Sequence, residues 1–244
     1  MNLHNNTIFI TGGSSGLGLE MAKQLIALNN TVLICGRNPE KLSAAKKQLP
    51  ELITYCCDLS KDTERIQLSA WIRETYPSLN ILVNNAAIVH RNDFGKDPDA
   101  YEKAVTEIMT NLLAPVHLSK LLLPVLQQNN NAGIINITSG LAYTPRVQYP
   151  VYNATKAALH SFTQVVRAQV SSLQITEVLF PVVDTPWHLG NPPKIAISPA
   201  KAVKEMLAGL SRNKKEIRVG AVKLLYYLGR LAPGFAFKKI NSLH

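Results

Sequence analysis

Seven apolar runs of strand length, separated by longer segments of helical period, constrain this 244-residue chain more than any other feature. The runs lie at 7–10, 31–35, 53–57, 81–84, 134–138, 176–180 and 217–219. Helical periodicity fills 16–29, 39–48, 62–75, 99–128, 151–172 and 199–211. Most strand runs are almost continuously apolar, as expected of parallel strands covered on both faces. Regular strand–helix alternation predicts an α/β fold, a doubly wound parallel sheet with right-handed crossovers. Ligands of such sheets sit beyond the carboxyl ends of the strands, where the strand order reverses. No linker, repeat or low-complexity stretch interrupts the pattern, so one domain over 1–244 is expected. Apolar residues at 46% suffice for a sizeable core, and charged residues at 17% leave no disordered-looking tract.

The first strand runs directly into Thr11-Gly12-Gly13-Ser14-Ser15-Gly16-Leu17-Gly18, and a helical pattern opens at Leu19. Glycines there allow a tight turn, close approach of backbone N–H groups to a pyrophosphate, and close helix–strand packing. A glycine-rich turn without ligand is the simpler reading of such a motif alone. Its position between the first strand and the first helix is the context that points to a dinucleotide. The second strand ends Cys35-Gly36-Arg37-Asn38-Pro39. An NAD site normally carries an acidic side chain here for the ribose hydroxyls. Gly36 cannot supply one, whereas the planar fork of Arg37 suits a 2′-phosphate. NADP(H) is therefore favoured over NAD(H), the alternative being a plain surface arginine.

Tyr152 and Lys156 stand four residues apart on the segment of helical period 151–172, with Ser139 thirteen positions upstream at the end of an apolar run. Positions i and i+4 share a helix face, and a neighbouring cation is expected to draw the phenol toward phenolate. By chance, a Tyr-x-x-x-Lys spacing arises in roughly one chain in two or three of this composition. A hydroxyl from Ser139 could hold a substrate oxygen against the phenol, an arrangement suited to proton transfer to or from an alcohol or carbonyl.

Taken together, the Thr-Gly-x-x-x-Gly-x-Gly spacing, Ser139, Tyr152 and Lys156 resemble the short-chain dehydrogenase/reductase family, of the classical type. Asn84-Asn85-Ala86-Ala87 is similar to the family's Asn-Asn-Ala-Gly segment, with Ala87 replacing the glycine. The resemblance covers roughly residues 6–220. It implies a single Rossmann-type domain with strand order 3-2-1-4-5-6-7 and helices on both faces. It implies that Asn111, Ser139, Tyr152 and Lys156 are catalytic. Tyr152 would donate the proton in reduction and act as base in oxidation, Lys156 would lower its pKa and bond the nicotinamide ribose, and Asn111 would hold a water near Lys156. Cofactor contacts are expected from Gly12, Ser14, Ser15, Gly16, Leu17, Gly18, Arg37, Asp58, Leu59, Asn85, Ala86 and Thr185, besides Tyr152 and Lys156. Val182 stands where the family carries glycine after Pro181, which restricts φ in the nicotinamide-facing loop. The ending, with Ile217-Arg218-Val219-Gly220 and Leu231-Ala232-Pro233-Gly234, weakly resembles the DltE-like oxidoreductase subgroup.

The implied activity is hydride transfer between nicotinamide and a small carbonyl or secondary-alcohol substrate. A catalytically idle dinucleotide-binding sensor or scaffold of the same fold is the alternative, and a sugar-nucleotide epimerase or dehydratase fits the glycine spacing less well. The segment 142–149 should line the pocket, and 186–198 is the expected substrate loop, with Trp187 either facing substrate or anchoring the loop. No metal is expected, because His90, His160 and His188 have no matching ligand spacing; His117 reads as a packing or surface residue and Asn136 as a structural hydrogen-bonder. Cys35, Cys56 and Cys57, odd in number and without zinc spacing, read as buried thiols in a reducing compartment. No signal peptide and no run of about 18 apolar residues is apparent, so a cytoplasmic protein is expected.

Charge is distributed unevenly. Residues 1–190 hold 15 Lys+Arg against 14 Asp+Glu, and residues 191–244 hold 11 against 2. The segment 221–244 is basic and apolar, with Leu224, Leu225, Tyr227, Leu228 and Leu231 beside Lys223 and Arg230. Packing on a neighbouring subunit in a homo-dimer or homo-tetramer is the simpler reading; contact with an anionic membrane surface is the alternative. Nucleic-acid binding is not expected, since no recognition module accompanies the charge.

Overall fold

A computed structural model describes residues 1–188 and 190–242; Leu189 of the expected substrate loop and the last two residues of the C-terminal segment lie outside the described residues. Seven strands, β1 (Thr7–Thr11), β2 (Thr31–Gly36), β3 (Ile53–Cys56), β4 (Leu79–Asn84), β5 (Gly133–Ser139), β6 (Gln174–Phe180) and β7 (Glu216–Arg218), form one sheet in the order β3-β2-β1-β4-β5-β6-β7. Every neighbouring pair is parallel. Successive strand residues serve opposite faces, which is why the runs are apolar throughout. Ile8, Ile10, Val32 and Ile34 join one core with α1 (Gly16–Ile26), α2 (Pro39–Gln48) and α7 (Pro199–Ser211). Phe9, Leu33, Leu82 and Ile134 join the other, against α3 (Asp62–Thr75) and α5 (Ala114–Gln127).

Helix limits follow local chemistry. Asn38 and Ser198 each cap a helix, accepting from Lys41 N–H at 2.8 Å and Lys201 N–H at 3.3 Å, and each is followed by a proline whose missing N–H costs nothing there. The stretch expected to be one helix over 99–128 is divided. α4 (Ala100–Ile108) passes through a π turn, Met109–Leu113, before α5 begins. Pro115 supplies the reason: it has no N–H to give the Asn111 carbonyl, and its ring would clash there in a regular α-helix. By length and mean hydropathy (1.3), Ala100–Gln127 is long and apolar enough to cross a membrane, contrary to the expectation from the sequence. Leu118, Leu122, Val125 and Leu126 of that stretch are nevertheless buried in the second core.

α6 (Pro150–Gln169) carries the tyrosine and lysine, and the chain closes with α8 (Val222–Leu231) and α9 (Pro233–Asn241). The C-terminal segment is thus two helices joined at Ala232. Cys35 and Cys57 are buried, but Cys56 is exposed, because the last residue of the edge strand β3 turns outward.

Candidate active site

The residues singled out in the sequence gather beyond the carboxyl ends of β1, β2, β4, β5 and β6, around the point where the strand order reverses between β1 and β4. At β1, the Thr11 hydroxyl accepts from the N–H groups of Asn85 and Ala86, both at 2.9 Å, which ties the end of β4 to the glycine turn. Asn85 returns its side-chain amide to the carbonyls of Thr11 (2.9 Å) and Gly12 (3.2 Å). Gly12 has φ +64°, and a Cβ there would stand 2.9 Å from Ala86 Cα, so only glycine fits. Ser15 precedes α1 without a side-chain cap, and the first turn of α1 carries no acid. An uncapped helix start leaves backbone N–H groups open to an anion. Gly16 lies against Thr185, whose Cβ would be 3.4 Å from an added Cβ, so the turn and the loop after β6 meet. Leu17 and Gly18 lie on α1, with Gly18 buried and Leu17 packed on the first core.

At the β2 end, Gly36 faces the Ser14 hydroxyl, 3.1 Å from where a Cβ would be, and Arg37 projects exposed. Asp58 follows β3 and accepts from the Ser60 N–H (2.9 Å) and hydroxyl (2.8 Å). Burial raises its pKa, but the Ser60 bonds, then Lys61 and Arg37, outweigh this and leave it below the ordinary value. Arg37 and Asp58 are therefore electrostatic neighbours. Leu59 is buried in the second core, with its carbonyl held by the buried Arg65 at 2.5 Å.

β5 ends at Ser139, whose hydroxyl accepts from the Leu141 N–H at 3.2 Å. Tyr152 and Lys156 come up from α6, with the ammonium 5.7 Å from the phenol ring centroid. Asn111 is fully buried on the π turn, where it accepts from Ile88 N–H and donates to Ile88 C=O, both at 2.8 Å. Its amide also reaches the Thr155 hydroxyl at 3.3 Å, one residue before Lys156. The π turn thus offers Asn111 to both the end of β4 and α6.

Electrostatics correct one expectation. Burial pushes the Tyr152 phenol up to about 12, opposed by a hydrogen bond with Ser139 and reinforced by Glu107 and Tyr149. Lys156 is not among the groups that lower it: its ammonium donates to the Ile137 carbonyl at 2.9 Å, and burial brings its own pKa down to about 8, against the pull of Glu177. The consequence is a pH effect of definite sign. Between about 8 and the ordinary lysine value Lys156 is more protonated in the unfolded chain than in the folded one, so its own contribution to stability rises with pH across that window. The whole Lys156 rise is on the order of 3 kcal/mol. The buried Cys35 and Cys57 thiols, both pushed up, oppose it above the ordinary thiol value. The change in urea midpoint from pH 7.5 to 9.5 should be more stabilising in the natural chain than in Lys156→Met, where only the opposing thiol contribution remains. An equal change in both would remove Lys156 as its source.

Two carboxylates escaped the sequence reading. Glu107, buried on α4, accepts from both the N–H (2.7 Å) and ring Nδ1 (2.9 Å) of His90. Glu177, fully buried on β6, meets Thr138 Oγ1 at 2.5 Å and His160 Nδ1 at 2.7 Å. Each pair is 17 residues apart in sequence, with no helical or strand period to announce it. His117 accepts from Arg65 Nε at 3.0 Å, and Asn136 bridges Asn84 (2.8 Å) and Thr163 (2.9 Å), both in the structural roles expected. Among the described residues no group of three His, Cys, Asp or Glu converges on a common point.

The loop after β6 is latched at its base by Ile197, which accepts from Asp184 N–H at 2.9 Å and donates to Val182 C=O at 3.2 Å. Trp187, half exposed, lies edge-on to Tyr149 with centroids 6.0 Å apart, and Tyr149 in turn lies 6.5 Å from Tyr152. Trp187 is therefore on the tyrosine side of the loop and is no deep anchor.

Sequence and structure comparisons bear on the family and the fold. The chain is 44% identical over 249 aligned positions to the uncharacterized oxidoreductase DltE of Bacillus subtilis, covering 99% of each. It is 30% identical to a fatty acyl-CoA reductase of Acinetobacter baylyi, over 95% of this chain and 79% of that one. The fold superposes with a TM-score of 0.85 on a short chain dehydrogenase from Burkholderia cenocepacia solved with NADP, at 22% identity over 98% and 99% of the two chains. A Burkholderia phymatum short chain dehydrogenase/reductase solved with NAD also gives 0.85, at 15% identity over 100% and 98%. With the family model for short chain dehydrogenase matching residues 6–189, the chain belongs to the short-chain dehydrogenase/reductase family of oxidoreductases.

Proposed function

We propose that the protein transfers a hydride between NADP(H) and a carbonyl or secondary-alcohol substrate, with Tyr152 as the general acid/base. The observation that carries this reading is the meeting of Ser139, Tyr152, Lys156 and Asn111 beside an uncapped helix start and a glycine turn that only glycine fits. When bound, the nicotinamide supplies the hydride. Gly12 to Gly18, Asn85, Ala86 and Thr185 would hold the cofactor, with Arg37 on the 2′-phosphate and Asp58 and Leu59 toward the adenine. The chain's own residues then handle position and proton. Ser139 orients the substrate oxygen, Tyr152 gives or takes its proton, and Lys156 and Asn111 link the phenol to solvent. A phenol whose pKa burial lifts to about 12 is protonated at neutral pH, the state that donates to a carbonyl oxygen when the reaction runs as reduction.

The test is NADPH absorbance across aldehydes, ketones, a sterol-like ketone and a long-chain acyl thioester, the last suggested by the Acinetobacter relative. Tight NADPH binding with no turnover on any of them would favour the sensor or scaffold reading. Cofactor choice has its own test. Arg37→Ser should raise the NADPH KM about 10- to 100-fold, the worth of a lost charge-assisted bond, and barely move that for NADH. Equal effects on both cofactors would return Arg37 to an ordinary surface role.

A homo-oligomer is supported by Tyr101, Val105 and Ile108, an exposed stripe on α4, with Val165 exposed on α6. A cytoplasmic location suits the three free cysteines.

A further inference from the structure

The two helices that end the described chain turn apolar residues outward. On α8, Leu224, Tyr227 and Leu231 recur at i, i+3 and i+7 and are 63%, 60% and 83% exposed. The inward side of α8 is already occupied. Val222 is buried and packs beside Gly140, while Tyr226 lies beneath the guanidiniums of Arg218 (3.7 Å) and Arg230 (4.6 Å). α9 continues the pattern, with Ala236 inward and Phe235 and Phe237 exposed.

Cations accompany this surface. Lys223 and Arg230 are exposed beside the α8 stripe, and Lys238 and Lys239 are exposed on α9. No acidic residue follows Glu216 in the chain. Lys223 has Glu205 at 3.9 Å, a loose and exposed pair of little energetic weight. Apolar side chains interleaved with cations and free of acids match the chemistry of an anionic lipid surface, which offers phosphates outside and hydrocarbon beneath.

We infer that α8 and α9 form a docking surface for an anionic bilayer. Leu224, Tyr227, Leu231 and Phe235 enter the headgroup–acyl boundary, and the four cations meet lipid phosphates. A second copy of this chain fits less well. An isologous contact would set the cationic segment against itself, with no acid from the same segment to answer it. The exposed stripe on α4, which has acids among its neighbours, is the better candidate for that role. The bilayer would also lie next to the active-site loop. Asn241 of α9 accepts from Val147 N–H at 2.8 Å and donates to Pro145 C=O at 3.3 Å, in the segment between Ser139 and Tyr152.

Co-sedimentation of the whole protein with vesicles tests the proposal. Binding is expected to phosphatidylcholine–phosphatidylglycerol vesicles at low salt, and at least about tenfold weaker binding to phosphatidylcholine alone or at about 0.5 M salt. Two variants separate the contributions: Leu224→Ser with Tyr227→Ser and Leu231→Ser, and Lys223→Gln with Arg230→Gln, Lys238→Gln and Lys239→Gln. Each should weaken binding to the anionic vesicles at least about tenfold with the thermal midpoint unchanged. Folded natural protein that ignores anionic vesicles at low salt overturns the proposal. If the serine variant instead turns a dimer into a monomer by sedimentation velocity, with no vesicle binding by the natural chain, the surface belongs to a second copy.

Discussion

Replacing Tyr152 by Phe should lower turnover about 10²- to 10⁴-fold, the usual worth of a general acid/base, while NADPH binding stays within about twofold. The ring keeps its place: Tyr149 lies 6.5 Å away and the Lys156 ammonium 5.7 Å, and neither contact needs the hydroxyl. What is lost is the one proton whose position is set by Ser139. Fluorescence titration with NADPH and absorbance turnover on the same preparation separate the two effects. A pH series sharpens the result. The phenol, at about 12, should stay protonated through the accessible range, so reduction by the natural enzyme should decline instead above about 8, where Lys156 loses its charge. Turnover preserved in Tyr152→Phe would remove the phenol from the chemistry.

Gly18→Ala should be the most damaging single substitution in the cofactor turn. Its added Cβ would stand 2.3 Å from the Gly12 carbonyl oxygen and 2.9 Å from Gly13 Cα. Both are backbone atoms of the turn itself, and the third neighbour, Asn85 Nδ2 at 2.7 Å, is bound to the Thr11 and Gly12 carbonyls. None can step aside without moving α1 off the turn. Overpacking usually costs about 1–3 kcal/mol, and rigid backbone neighbours put this case at or above about 3. NADPH affinity should fall by more than about tenfold, since the N–H groups from Gly12 to Leu17 reorient with the helix. Gly234→Ala is the control, with nothing within 4 Å of its Cβ and ordinary helical propensity in favour of alanine. Urea midpoints and NADPH titrations of both variants decide it; an undisturbed Gly18→Ala would mean that the turn packs otherwise.

Much of the fold was legible because its determinants are local or periodic. The strand runs were apolar throughout because alternate residues feed two cores, and all seven were found within two residues of their observed ends. The helices 39–48, 62–75 and 199–211 were read at their observed limits, two of them beginning at a capping side chain followed by proline. The glycine turn could be placed because a backbone that must bend tightly leaves a compositional mark. The π turn was not anticipated, although Pro115 was its signal. Inside the helix expected over 99–128, that proline leaves the carbonyl four residues earlier without its N–H partner.

The pairs Glu107–His90 and Glu177–His160 were beyond reach for another reason. A carboxylate and an imidazole on different elements meet only after the elements pack, and nothing in a separation of 17 residues encodes that meeting as a period. The same holds for the partnership of Asn111 with Ile88 and Thr155.

The sequence by itself determined the strand–helix order, the glycine turn and the face shared by Tyr152 and Lys156, since backbone sterics, capping and helical period act over a few residues. Only the tertiary structure decided the charge states of that pair. Burial raised the phenol and lowered the ammonium where the spacing alone argued for a lowered phenol, with Ser139 of β5 and Glu107 of α4 acting on the one and Glu177 of β6 on the other. Packing likewise decided that Leu224, Tyr227 and Leu231 face outward, because Val222 and Tyr226 had already taken the inward side of α8.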